Sequence, residues 1–307
     1  MGYNSARDAF FERVISQAEK EDVYIISADS AGRPFDVIRE QAPQRFVSTG
    51  IAEQNMVSVA CGLALCNKKV IAFTQAAFED TRALDQIRNA VCMMNLPVAI
   101  VGLGIGFGTA ECGNTHFVTE DYKILSSCPN ITIINIADDE IAEKAADYVL
   151  AAKGPVYLRI ERESYKLGVS DIDFDKGFRV LRKGTGVAIL TAGYLAEKAY
   201  NINFSGHLSP TIIDVFGFSF NIDELMKILC EHRAVVVYEE HQRSGGLGSA
   251  VLEIFNDRGI ANIAVERMGI DYKGDFPRVY GSREYWLKHF GLSVENLREV
   301  VDKLAEQ

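Results

Sequence analysis

The chain has 307 residues, 48% apolar and 24% charged, a balance that excludes a disordered, collagen-like or disulfide-stapled chain and suits about two domains. Its 42 Asp and Glu against 32 Lys and Arg leave a formal charge of −10, which argues against nucleic acid or an anionic membrane as partner. No apolar run reaches the ~18 residues that span a bilayer, and the opening MGYNSARDAFFERV has no apolar signal core. Cys61, Cys66, Cys92, Cys112, Cys128 and Cys230 show no CxxC spacing; they read as reduced thiols of a cytoplasmic protein, with no metal site expected.

In chain order, the first half predicts strands at Val23–Ser27, Phe46–Ser48, Lys69–Phe73, Pro97–Val101, Ile131–Asn135 and Val156–Ile160. Helical patterns lie between them at Ala6–Lys20, Ala52–Leu65, Thr81–Met94 and Asp139–Ala152, the last with acidic residues in its first turn. This alternation predicts an α/β fold with a mainly parallel sheet covered on both faces. Residues 163–183 are polar and without period and read as a linker. Beyond it the alternation resumes, with strands at Gly186–Thr191, Thr211–Val215, Ala234–Glu239 and Asn262–Glu266. The matching helices are Ala196–Asn201, Ile222–Glu231, Gly248–Asp257 and Val294–Ala305.

Four segments carry candidate chemistry. In RFVSTGIAEQNMVSVACGLAL a strand ends near Gly50 and a helix begins at once, so Glu53 sits in its first turn, at the carboxyl edge of the sheet where α/β folds bind ligands. Spacing alone leaves two readings of Glu53: a site residue, or a solvated partner of the helix dipole. In IAFTQAAFEDTRALDQIRNAV, Phe73 and Phe78 follow a strand and read either as core or as a flat wall for a ring. GLGIGFGTAECGNTHFVTED has glycines after a strand, but a polar loop containing His116 follows instead of the helix a dinucleotide site needs. In EEHQRSGGLGSAVLEIF the glycines open a helix and suit either an anion or tight strand-to-helix packing; no Lys-Ser/Thr follows to make a P-loop.

Together and in order, GIAEQN (50–55), RALDQIRN (82–89), GNTH (113–116), PNITIINIADDE (129–140), GPVYLRIER (154–162) and EEHQRSGGLGSA (239–250) resemble the C-terminal half of a transketolase over essentially the whole chain. The resemblance implies a thiamine diphosphate pyrimidine-binding domain over 1–165, a linker over 166–182 and a Rossmann-like transketolase C-terminal domain over 183–307. It gives Glu53 the role of the carboxyl that bonds N1′ of the aminopyrimidine, in a dry site where it keeps its proton. It also matches Phe78 to the aromatic packed on that ring, Asp29 to an acidic residue near the coenzyme, and His116 to a substrate-facing histidine. Arg7 and Arg162 match arginines that grip a sugar phosphate.

The GDG motif and following Asn that hold a divalent metal in transketolases are missing; Gly274-Asp275 is followed by Phe276-Pro277. The resemblance therefore implies a chain inactive alone. Its site would be completed by an N-terminal transketolase-like subunit that binds Mg2+ or Ca2+, in an α2β2 assembly. Gln75 stands where transketolases often carry a ring-packing Phe, Cys112 replaces an acidic residue, GLGIGFG lacks a histidine, and the serine expected after Asp29 falls near Arg33. These departures point to ketol transfer between sugars or sugar phosphates with an atypical donor or acceptor, such as a nucleotide-linked sugar, with Arg33 as an anion contact. Two other readings stand beside it: a 1-deoxyxylulose-phosphate synthase-like or 2-oxoacid dehydrogenase β-like subunit, and a non-catalytic structural partner.

Overall fold

The computed structural model describes residues 5–29, 32–204 and 209–306, with Glu19 described through its backbone alone. The first four residues of the opening segment and Ser30 lie outside that range. The chain forms two units: Met1–Ile105 with Ile124–Lys166, and Gly106–Lys123 with Leu167–Gln307.

Helix α1 (Ala6–Glu21) starts at Ser5, whose hydroxyl accepts from the Asp8 amide at 3.1 Å, and stops at Asp22 in a left-handed conformation. Strand β1 (Val23–Ser27), helix α2 (Arg33–Gln41), strand β2 (Phe46–Ser48), helix α3 (Glu53–Leu65) and strand β3 (Lys69–Gln75) follow. After the short turns α4 (Ala76–Glu79) and α5 (Leu84–Gln86), residues Ile87–Cys92 wind as a π-helix. The uninterrupted helix predicted over Thr81–Met94 is therefore a turn, a short α-helix and a π-segment, a widening that proteins use locally. Strand β4 (Val98–Leu103), helix α6 (Asp121–Leu125), strand β5 (Thr132–Asn135), helix α7 (Asp139–Ala151) and strand β6 (Val156–Ile160) complete this half. Asp138 caps α7 by accepting from the Ile141 amide at 2.9 Å, at the acidic start the sequence marks.

The six strands pair in parallel in the order β2-β1-β3-β4-β6-β5. The register sets Ser27 beside Ser48 and Phe73, Gln75 beside Leu103, and Leu103 beside Ile160, so the chain leaves five strands along one carboxyl edge. Under that edge Phe11, Phe35 and Phe73 form a buried cluster with ring centroids 4.8–5.0 Å apart. Phe73 is thus largely core.

The second unit carries β7 (Phe178–Arg182), β8 (Val187–Thr191), α8 (Tyr194–Tyr200), β9 (Thr211–Val215), α9 (Ile222–Leu229), β10 (Ala234–Gln242), α10 (Leu247–Asp257), β11 (Ala264–Ile270), α11 (Arg283–His289) and α12 (Val294–Glu306). Its sheet runs β11-β10-β8-β9-β7, parallel except for β7, which is antiparallel to β9. Strand β7 falls inside the stretch read as linker, and its composition hides it. Arg179 stands opposite Asp214 in the register, and the two form a fully buried ion pair at 3.0 Å. Arg182 donates to the carbonyl oxygens of Tyr200 and Ile202.

The loop Gly106–Lys123, which the sequence places inside the first domain, packs with the second unit because its apolar side chains find partners there. Phe107 lies 5.7 Å from Phe290 and 6.1 Å from Trp286, and Phe117 lies 5.3 Å from Trp286. The Phe107 amide donates to buried Glu240 at 2.8 Å, and the Gln242 amide to the Thr119 carbonyl at 2.7 Å. No helix among the described residues is long and apolar enough to cross a membrane.

Candidate active site

A cavity of about 310 Å³ opens at the carboxyl edge of the first sheet, within the size range of small-molecule sites. Arg7, Asp29, Glu53, Gln75, Phe78 and Arg162 all line it, together with Ala28, Ile51, Phe73, Thr74 and Leu103. Local chain geometry delivers each residue. Asp29 follows β1 with φ +53°, a left-handed backbone that Asp tolerates better than most residues. Gly50 turns the chain from β2 into α3 at φ +66°, which brings Glu53 into the first helical turn. Gln75 ends β3, and Phe78 lies on α4 immediately after it. The Ala6 amide donates to the Glu163 carbonyl at 3.0 Å, tying the start of α1, and with it Arg7, to the chain that carries Arg162. Arg7 is also bound to Asp8 at 2.8 Å.

Glu53 is only 2% exposed, so it is not a solvated dipole partner. Arg82 donates to its Oε2 at 2.6 Å, and the Arg82 guanidinium lies 4.7 Å from the centre of the Phe78 ring. Sequence reasoning missed Arg82 as a partner. Its signal was present in RALDQIRN, the first turn after a strand-edge aromatic, but nothing in the spacing says which carboxyl it faces. Next to Phe78, Glu79 is fully buried, and burial together with the carboxyls of Asp80 and Glu53 pushes its pKa well above the ordinary value.

Two predicted residues lie elsewhere. Arg33 opens α2 and lines a separate cavity of about 360 Å³ with Glu12, Ser16 and Gln41, because α2 packs on α1. His116 belongs to the second unit; it is half-buried on a short 3-10 turn, with its Nδ1 3.0 Å from the Thr115 hydroxyl. Exposed Cys112 is on the same loop. At the glycine-rich turn the open choice resolves to packing. The amides of Leu247 and Gly248 donate to the Glu239 carboxylate at 2.7 and 3.0 Å, so the helix start already holds an internal anion. A Cβ on Gly246 would come within 2.1 Å of Glu239 Oε2.

The chemistry of the cavity suits the pyrimidine end of thiamine diphosphate: a buried carboxyl, an aromatic face beside it and polar rims. Among the described residues no group of three or more His, Cys, Asp or Glu is gathered to hold a metal ion.

A buried carboxyl at the head of a helix, on the carboxyl edge of a six-stranded parallel sheet followed by a mixed five-stranded one, defines an α/β protein of two units with a small-molecule cavity in the first. Residues 6–167 match the family described as transketolase, pyrimidine binding domain, and residues 177–297 match the transketolase C-terminal domain. The chain belongs to the transketolase family. It is 30% identical to an apulose-4-phosphate transketolase subunit of Actinobacillus succinogenes over 93% of this chain and 94% of that protein. It is 28% identical to a 6-deoxy-6-sulfo-D-fructose transketolase subunit of a Clostridium species, over 98% of this chain and 94% of that one. A solved split-gene transketolase, described as an inactive beta4 tetramer, superposes with a TM-score of 0.82 at 26% identity, covering 99% of both chains. The likeness is therefore to separate transketolase subunits, nearly end to end.

Proposed function

We propose that this chain is the C-terminal subunit of a split, thiamine diphosphate-dependent transketolase, and that Glu53 is its coenzyme-activating acid. The observation that carries the proposal is the burial of Glu53 in a cavity that also presents Phe78. Thiamine diphosphate, when bound, supplies the nucleophilic carbon that carries a two-carbon ketol unit from one sugar to another. Glu53 holds a proton at N1′ of the aminopyrimidine, which favours the tautomer able to take a proton from that carbon. Phe78 supports the ring face, and Gln75 and Asp29 line the rim. Arg7 and Arg162 offer paired guanidinium donors for a sugar phosphate, and His116 is assigned to the substrate. Arg33, which lines the second cavity, is assigned as an anion contact apart from these.

An N-terminal transketolase-like subunit would bring the diphosphate and Mg2+ or Ca2+ site, in an α2β2 assembly. The solved relative described as an inactive beta4 tetramer supports both self-association and the need for that partner. We place the domain boundary after Lys166, with the connecting segment ending before strand β7 at Phe178, and assign the protein to the cytoplasm.

The test is Glu53→Gln in the complex reconstituted with the N-terminal subunit, with turnover measured on ketose phosphate donors. The expected loss is about 10³-fold or more, as for removal of an essential proton-transfer group, with assembly unchanged. Near-normal turnover would overturn the assignment and favour a structural subunit. Release of carbon dioxide from pyruvate would instead move the chain to the decarboxylating, synthase-like reading.

A further inference from the structure

Glu79 ends α4, one residue after Phe78 and three before Arg82. Its side chain is completely buried, and neither carboxyl oxygen has a hydrogen-bond partner among the described residues. Helix α4 packs against β3, β4 and α3. Strand β4 carries no ionisable side chain, and that of β3, Lys69, is bound to Glu21. Helix α3 contributes Glu53 and the Cys61 thiol, and Asp80 is the adjoining carboxyl. The cation of this segment, Arg82, is committed to Glu53. A carboxyl with no donor, no cation and no water exposure retains its proton, because the ionised form has nothing to stabilise it.

Glu53 has the opposite difficulty. It is paired with Arg82, yet its proposed role requires a proton on it, and its own carboxyl is only 2% exposed. We propose that Glu79 is a positioning residue that stores the proton Glu53 needs. Arg82 yields Glu53 to an aminopyrimidine ring, the proton leaves Glu79 for Glu53, and Arg82 turns to the carboxylate left on Glu79. One O–H bond breaks at Glu79 and one forms at Glu53. One neutral acid and one ion pair exist before and after, so the cluster exchanges no proton with solvent. Arg82 is suited to the move: it is 45% exposed, three residues along from Glu79, and anchored at one carboxyl oxygen and the Phe78 face.

The inference rests on the coenzyme-activating role of Glu53, and its test separates the two. In the reconstituted complex, calorimetry of thiamine diphosphate binding in buffers of different ionisation enthalpy counts protons taken from solvent. The wild-type complex takes up none at the cluster. With Glu79→Gln, one proton per site comes from solvent, and coenzyme affinity falls about tenfold per pH unit on the alkaline side. Equal proton uptake by both complexes overturns the inference. A second reading comes from the unliganded chain by infrared spectroscopy with isotope-labelled glutamate. A protonated carboxyl band at neutral pH is expected in the wild type and absent in Glu79→Gln. A wild-type chain without that band also overturns the inference, whether or not the coenzyme binds. Failure of the wild-type complex to bind coenzyme strikes the reading of the cavity instead.

Discussion

At the scale of single residues, Arg82 and Glu79 decide how the cavity behaves. Arg82 compensates a carboxyl that has almost no contact with water, so Arg82→Gln leaves Glu53 buried with a weaker partner. Because Arg82 itself is nearly half exposed, the expected cost is about 1–3 kcal/mol, read from denaturant midpoints. Glu79 acts in the other direction. Its folded-state pKa is raised, so above the ordinary glutamate range the native chain holds a proton that the unfolded chain has released. Stability then falls as pH rises, by about 1.4 kcal/mol per unit for one such proton, until the folded-state value is passed. Glu79→Gln removes that slope. The variant should match the wild type in acid and gain on it steadily from about pH 5 upward, in melting temperatures taken across pH. Most of the cavity was legible in the sequence. Glu53 and Phe78 were marked by their places after strand ends, and Gln75, Asp29, Arg7 and Arg162 by the transketolase resemblance; parallel strands bring those places together. Arg82 and Glu79 were hidden because their roles depend on which side chains face each other across α3 and α4, and no one-dimensional spacing reports that.

Helices and strands show the same division. Strands with continuous β-branched runs, such as VYIIS and VYLRI, are where the sequence puts them. Strand β7 was missed because FRVLR buries a guanidinium, which composition reads as surface. Helix α2 was missed because Arg33-Pro34 at its start resembles a turn; Pro in the first turn is in fact compatible with a helix. The β10–α10 connection shows why glycines there are not interchangeable. Glu239 occupies the first amides of α10, and Gly246 is the residue that lets it approach. Gly246→Ala should cost about 2 kcal/mol or more by forcing that carboxylate away, whereas Gly259→Ala meets no neighbouring atom and costs only the strain of φ +66°. Urea unfolding of both variants measures the difference. Thiol labelling tests the burial of the cysteines in both units. Cys61 and Cys92 are buried, with pKa values pushed up by burial to about 11 and about 12, and Cys128 is buried as well. Exposed Cys66, Cys112 and Cys230 should alkylate promptly in the native chain, and the other three only on unfolding.

At the scale of the whole molecule, half a coenzyme site should behave as half a site. Calorimetry on the isolated chain with magnesium should show weak thiamine diphosphate binding, and tight stoichiometric binding would contradict the split arrangement. The path of the backbone has a separate consequence. It passes from the first unit to the second at residues 105–106, returns at 123–124 and leaves again at 166–167. No single cut therefore yields two self-sufficient pieces. A fragment ending at Lys166 would display Phe107 and Phe117 without Trp286 and Phe290, and should precipitate. A fragment beginning at Leu167 would be missing a wedge of its own interior, and a synthetic peptide spanning 106–123 should restore it in trans. Inheritance of these two units as exchangeable modules is barred by the same threading: recombination at any one point would leave each offspring gene carrying part of the other's core.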